Sequence, residues 1–275
     1  MKWTAQDIPD QTGRTALVTG SNSGIGYETA RALAQAGAHV VMACRSPERA
    51  EAAAERIRAE GPAGRVEVAQ LDLSSLASVQ RFSESFLAAN DRLDLLIANA
   101  GVMMPPERRE TSDGHELQIG TNHLGHFALV GRLLPALLST AGSRVVVVAS
   151  AAHRWGSMDF DDLSWRKRSY RRMPSYGQSK LANLLFVKEL QRRLEEAGAS
   201  TLVTAAHPGW TSTELQRDTA LFRWLNPFLA MTADQGALPT LRAAVAPDAE
   251  GADYYGPDGW MEMRGWPVKV GRSKE

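Results

Sequence analysis

Cysteine is nearly absent from this 275-residue chain: Cys44 stands alone. It can form no internal disulfide and belongs to no cysteine set for a metal, which suits a reducing compartment. Net charge is also missing, because 31 Lys plus Arg balance 31 Asp plus Glu. Nothing global therefore favours a nucleic acid or an anionic membrane as partner. No apolar run approaches the roughly 20 residues that span a bilayer. The first dozen residues are polar and carry Asp7, Pro9 and Asp10 rather than the apolar core of a signal peptide. A fixed-period repeat is lacking too, which excludes solenoids and propellers. The expectation is a soluble, cytoplasmic protein with no membrane anchor and no nucleic-acid partner.

What the chain does have is alternation. Short β-branched runs at 15–19, 39–43, 65–71, 93–98, 144–150 and 201–206 are separated by alanine-rich stretches with helical spacing, such as Ile25, Thr29, Leu33 and Ala36. Val145 to Val148 has no polar alternation, as in a strand covered on both faces. This pattern predicts an α/β fold: one doubly wound parallel sheet of about seven strands with helices on both sides. No linker divides the chain, so one domain over 1–275 is expected. Its cofactor half would cover about 14–110 and its catalytic half 111–275. Residues 157–174 read as an irregular insertion, and 211–233 as a helical flap over a pocket.

The first strand runs into Thr19-Gly20-Ser21-Asn22-Ser23-Gly24-Ile25-Gly26. Glycines at a strand-to-helix junction let the backbone turn sharply and approach a pyrophosphate closely. The helix N-terminus then offers unpaired N–H groups and partial positive charge to phosphates. The second strand ends in Ala43-Cys44-Arg45-Ser46, with no acidic residue to accept hydrogen bonds from an adenosine ribose. Arg45 instead offers a permanently charged fork suited to a 2′-phosphate, so NADP(H) is expected over NAD(H).

Tyr176 and Lys180 are four apart on a predicted helix and project from one face. Ser150 ends the valine strand, at the sheet edge where ligands bind in such folds, and Asn122 lies in the helical stretch 116–138. A tyrosine with a pKa of about 10 is a poor base near neutrality. A nearby ammonium and a positive nicotinamide ring favour its phenolate. Tyr176 could then give a proton to a carbonyl oxygen or take one from a hydroxyl, with Ser150 donating a hydrogen bond to the same oxygen.

Across 15–255 the sequence resembles the short-chain dehydrogenase/reductase family, whose cofactor loop has the form Thr-Gly-x-x-x-Gly-x-Gly. The resemblance implies a Rossmann-like sheet. It also implies cofactor contacts from Gly20, Ser21, Asn22, Ser23, Gly24, Ile25 and Gly26, with Ser21 and Arg45 near the 2′-phosphate. Asp72 and Leu73 would meet the adenine, and Asn99-Ala100-Gly101 would approach the ribose. Pro208, Gly209, Trp210 and Thr213 would surround the nicotinamide carboxamide. Lys180 would hold the nicotinamide ribose, and Asn122 a water leading from Lys180 to solvent. The strings Asn122-His-Leu-Gly-His-Phe127, Tyr176 to Phe186 and His207-Pro-Gly are similar to the retinol-dehydrogenase-like branch.

Candidate substrate-lining residues are Met103, Met104, Ala152, His153, Trp155, Met173 and Leu215, with Val102, Leu221 and Phe222 nearby. Their apolar, aromatic and thioether side chains suit a hydrophobic carbonyl or alcohol. His115, His123 and His126 do not have zinc-site spacing, and no metal is expected. The basic run Arg166-Lys167-Arg168 with Arg171 and Arg172 reads as a solvated loop. The leading function is NADP(H)-dependent interconversion of an alcohol and its ketone or aldehyde. Reduction of a C=C bond and a non-catalytic NADP-binding regulator on the same fold are the alternatives, and a homodimer or homotetramer is compatible with each.

Overall fold

The computed structural model describes residues 2–211 and 230–271. Strand and helix alternate through β1 (Thr15–Thr19), α1 (Gly24–Gln35), β2 (His39–Cys44), α2 (Pro47–Ala59), β3 (Val66–Gln70), α3 (Leu76–Ala89) and β4 (Leu95–Ala98). The second half continues with a short turn α4 (Leu117–Ile119), α5 (Gly125–Ser139), β5 (Arg144–Val148), α6 (Arg172–Glu196), β6 (Leu202–Ala206), α7 (Ala233–Val245), β7 (Tyr254–Pro257) and β8 (Pro267–Lys269). Local chemistry sets the boundaries. The Ser46 hydroxyl accepts from Arg49 N and Pro47 takes the first helical position of α2, where its missing N–H costs nothing. Ser75 caps α3 by accepting from Ser78 N.

The sheet order is β3-β2-β1-β4-β5-β6-β7-β8, parallel except for the last pair. The order reverses between β1 and β4, and there the strand C-termini open the crevice that binds ligands in doubly wound sheets. About seven strands are expected and the described residues form eight, because the β7–β8 hairpin adds an antiparallel edge. Its two strands are only four and three residues long and contain Pro257 and Pro267. Short, proline-bearing strands carry no period-2 signal. The central strands are fully buried: Leu17, Leu95, Leu96, Val145 and Val146 have no exposed surface. One apolar layer joins α1, α2 and α7 to the sheet, and a second joins α3, α5 and α6 to its other face.

Two expected boundaries move. The predicted helix over 116–138 is interrupted by one π-helical turn at Gly120–Leu124, centred on Asn122. The insertion ends at Arg171 rather than Pro174, because a proline in the first turn of α6 breaks no intrahelical bond. The expected flap at 211–233 falls mainly outside the described residues. Among the described residues no helix is long and apolar enough to cross a membrane.

Candidate active site

One cavity of about 800 Å³ runs along the C-terminal edge of the parallel sheet. Its first end is the β1–α1 loop, where Gly20, Asn22, Ser23, Gly24, Ile25 and Gly26 all reach the wall. Close approach explains Gly26: an added Cβ would sit 2.5 Å from both Asn99 Nδ2 and Gly20 O. The Ser23 side chain makes no capping bond, so it does not occupy the first N–H groups of α1. Ser21 is different. Its hydroxyl is fully buried and donates to Val18 O, with Cys44 Sγ 3.5 Å away. It therefore points into the protein and away from the cavity, against its expected place at a 2′-phosphate. Cys44 is buried beneath this loop, and burial raises its thiol pKa.

Arg45 is exposed and lines the cavity beyond β2. Arg49, one helical turn on, lines it too. Sequence reasoning missed Arg49 because an exposed helical arginine carries no signal of its own; its spacing of four from Arg45 was the available clue. Asp72 and Leu73 reach the same wall, but the Asp72 carboxylate already accepts from Ser74 N and Oγ. Asn99 donates through Nδ2 to Thr19 O, while the Thr19 hydroxyl accepts from Asn99 N and Ala100 N. The Asn99-Ala100-Gly101 turn is thereby pinned to the end of β1, facing the cavity.

At the middle of the cavity Ser150, Tyr176 and Lys180 converge. Ser150 ends the β5 segment and caps a 3-10 turn, Ala151–Trp155, by accepting from Ala152 N. That turn lies directly on α6. A Cβ on Gly177 would come within 2.7 Å of Ala152 O and Gly156 N, so a glycine after Tyr176 is what lets the two backbones touch. Lys180 Nζ donates to Val148 O at the end of β5 and sits 5.7 Å from the centre of the Tyr176 ring. Burial lowers the Lys180 pKa to about 8. Burial also pushes the Tyr176 phenol up to about 12, against the opposing effect of a hydrogen bond with Ser150. The phenol thus holds its proton when no other positive group is near.

Asn122 stands behind this wall. Its Oδ1 accepts from Val102 N, and its Nδ2 donates to Val102 O and Ser179 Oγ. The side chain is committed to protein partners that shape the loop after β4. His126, one turn further and completely buried, joins Asn122 O to Thr19 Oγ1 at 3.1 and 2.9 Å. A carbonyl only accepts, so Nδ1 carries the proton and Nε2 receives the Thr19 hydroxyl hydrogen. Burial lowers the His126 pKa to about 4, which keeps that tautomer neutral.

At the far end Met103, Met104, Ala152, Trp155, Met173, Pro208, Gly209 and Trp210 reach the cavity. His153 does not: it is 1% exposed, its Nδ1 donates to Ser150 O, and its ring packs edge-on against Tyr254. Thr213, Leu215, Leu221 and Phe222 lie outside the described residues. Arg154, in the turn after β5, and Met261, Glu262 and Met263, in the β7–β8 connection, also reach the wall and were not foreseen, since no motif marks either segment. The basic run is mostly exposed, as a solvated loop would be, with Arg168 half-buried. Arg168 lies over the Trp165 ring and donates to Gln178 Oε1, and Arg166 donates to Gly114 O. Among the described residues no three potential ligands gather into a metal site.

The short chain dehydrogenase family model matches residues 14–223. The chain belongs to that family. Members of the short chain dehydrogenase family are oxidoreductases that bind nicotinamide cofactors. Retinol dehydrogenase 13 from Homo sapiens is 47% identical over 209 residues, which cover 76% of this chain and 62% of that protein. Retinol dehydrogenase 12 from Mus musculus is 46% identical over 242 residues, 86% of this chain and 75% of its own length. The crystal structure of an uncharacterized protein from Mycobacterium Paratuberculosis has a TM-score of 0.83 and 46% identity, covering 99% of this chain and 90% of that one. This short chain dehydrogenase is therefore a retinol-dehydrogenase-like member.

Proposed function

We propose that the protein is an NADP(H)-dependent oxidoreductase interconverting a hydrophobic alcohol and its ketone or aldehyde, with Tyr176 as general acid and base. The observation that carries the reading is the convergence of Ser150, Tyr176 and Lys180 on the same cavity as the glycine loop. The residues present fit a dinucleotide. The backbone at Gly20, Gly24 and Gly26 together with the N-terminus of α1 would hold the pyrophosphate. Arg45 and Arg49 would take the 2′-phosphate, and Asp72 with Leu73 would border the adenine. Lys180 would hold the nicotinamide ribose, and Pro208, Gly209 and Trp210 would border the ring. Thr213 belongs to the same expected set. On this reading residues 14–110 are the cofactor half and 111–275 the substrate half of one domain.

The bound cofactor supplies or accepts the hydride. The protein's residues manage the proton. With its pKa raised by burial, Tyr176 is a phenol that can protonate a nascent alkoxide, the direction of carbonyl reduction. Ser150 Oγ donates to the same oxygen as charge builds on it. The Lys180 ammonium lowers the energy of the phenolate left behind, and Asn122 fixes the loop on which Gly101 and Val102 stand. Met103, Met104 and Met173 with Trp155 and Trp210 form an apolar, adaptable wall suited to a hydrophobic substrate. The names of the retinol dehydrogenase relatives point to the same class of alcohol. The test is a panel of ketones, aldehydes and enones followed by oxidation of NADPH and of NADH. Turnover of aldehydes or ketones with NADPH is expected. Turnover confined to enones, or none at all, would sink the reading.

A further inference from the structure

Three loops meet at the substrate end: the turn after β5 that follows Ser150, the His207-Pro208-Gly209 loop after β6, and the connection between β7 and β8. Glu262 joins them. One carboxylate oxygen accepts from Arg154 Nη2 at 2.7 Å and the other from His207 Nε2 at 2.9 Å. The His207 side chain is 1% exposed, and its Nδ1 accepts from Gly209 N, so Nε2 carries the hydrogen given to Glu262. The turn so gripped is unusual. Met261 and Glu262 both take left-handed backbone angles, with φ of 51° and 57°, which side chains other than glycine adopt only where surrounding contacts impose them. Met263 O accepts from Trp210 N at 2.6 Å, and a Cβ on Gly209 would lie 2.6 Å from that carbonyl. Met261, Glu262 and Met263 all reach the cavity, with Met261 itself 59% exposed and Trp260, outside the lining, 75% exposed.

We propose that Glu262 is a specificity-determining residue: by engaging Arg154 and His207 together it holds the Met261–Met263 turn as a side of the cavity that selects long apolar substrates. The proposal rests on the reading of this cavity as an alcohol and carbonyl site. Arg154 and Glu262 pair with each other, so among the described residues the far end offers mainly thioether and indole surface. A short substrate reaches Tyr176 and Ser150 without touching this wall. A long one lies along it, and its binding depends on the wall being held.

The experiment compares decanal with propanal as substrates for the wild type and for Glu262→Gln. A glutamine cannot accept from both Arg154 and His207, so one arm opens while the size of the side chain is kept. The ratio of kcat/KM for decanal over propanal is expected to fall about tenfold, through the KM of decanal. Arg154→Met, which cuts only the exposed arm, should move the ratio in the same direction. A ratio left unchanged, or two substrates impaired equally, would overturn the proposal. Hydrogen exchange at the amides of Trp210 and residues 259–265 is followed in the same variants without cofactor, where faster exchange is expected and unaltered protection would overturn the latch. Faster exchange in a protein whose wild type reduces no carbonyl would refute the proposed function and leave the latch standing.

Discussion

At the scale of single residues, burial sets the chemistry of the central pair. Because the Tyr176 pKa is raised and that of Lys180 is lowered, the isolated site holds a neutral phenol beside an ammonium that is easily deprotonated. Tyr176→Phe keeps the ring and removes the proton. Turnover should fall by about 10²–10⁴ while the NADPH dissociation constant, read by fluorescence titration, stays within a factor of about two or three. Retention of most of the rate would refute the assigned role. On the proposed reading Arg45 bears on cofactor choice: a carboxylate there would repel a 2′-phosphate. Arg45→Asp should lower kcat/KM with NADPH by about tenfold to a hundredfold while sparing NADH, since charge-assisted contacts to phosphate are worth about 1.5–3 kcal/mol. Steady-state kinetics with both cofactors decides it.

At the scale of elements, the site depends on how closely backbones approach. The turn after Ser150 rests on α6 where Gly177 leaves no Cβ, and that contact sets the Ser150 hydroxyl beside the Tyr176 phenol. Gly177→Ala would place a methyl 2.7 Å from two backbone atoms that cannot rotate away, so the turn must lift. A loss of about 1–3 kcal/mol in stability is expected from overpacking. The fall in kcat should be larger than the fall in NADPH affinity, checked by urea unfolding alongside kinetics. The elements also show where sequence was readable. The glycine loop, Arg45 and the Tyr176–Lys180 spacing could be found because each rests on local periodicity or a strand end. Ser21 misled because a hydroxyl in the loop looks available whichever way it points. From sequence His153 is open to a pocket or a structural reading, and packing against Tyr254 shows its direction. Glu262 could not be found at all: it lies 86 positions beyond Tyr176 in a turn between two strands too short to declare themselves.

At the scale of the whole molecule, the alternation of strand and helix announced the doubly wound sheet, because β1 to β6 each carry a short run rich in β-branched or aliphatic residues. The antiparallel edge went unseen for want of such a run. Loss of stability in acid follows from the buried histidines. The His126 pKa falls from 6.5 to about 4, and those of His123 and His153 are lowered as well, each mainly by burial. Below pH 6.5 the unfolded chain takes up protons that the folded one refuses, so this contribution is complete above 6.5 and is lost as pH falls toward 4. His126 alone should account for about 3 kcal/mol of that loss. Urea midpoints at pH 7 and pH 4 should differ more in the wild type than in His126→Gln, and equal differences would refute the attribution. Glu262, held near 2 by His207 and Arg154, adds a separate loss below about pH 4.5.

Cys44 closes the cofactor end of the cavity from beneath, and it is the chain's one thiol. That makes the protein its own gauge of local breathing, with no label to introduce. A small maleimide should react slowly with the native protein, at a rate set by how often the β1–α1 loop lifts, and more slowly still with saturating NADPH. Alkylation as fast as that of a free thiol would mean that the loop spends its time open. The dinucleotide half would then be assembled by its ligand instead of waiting for it.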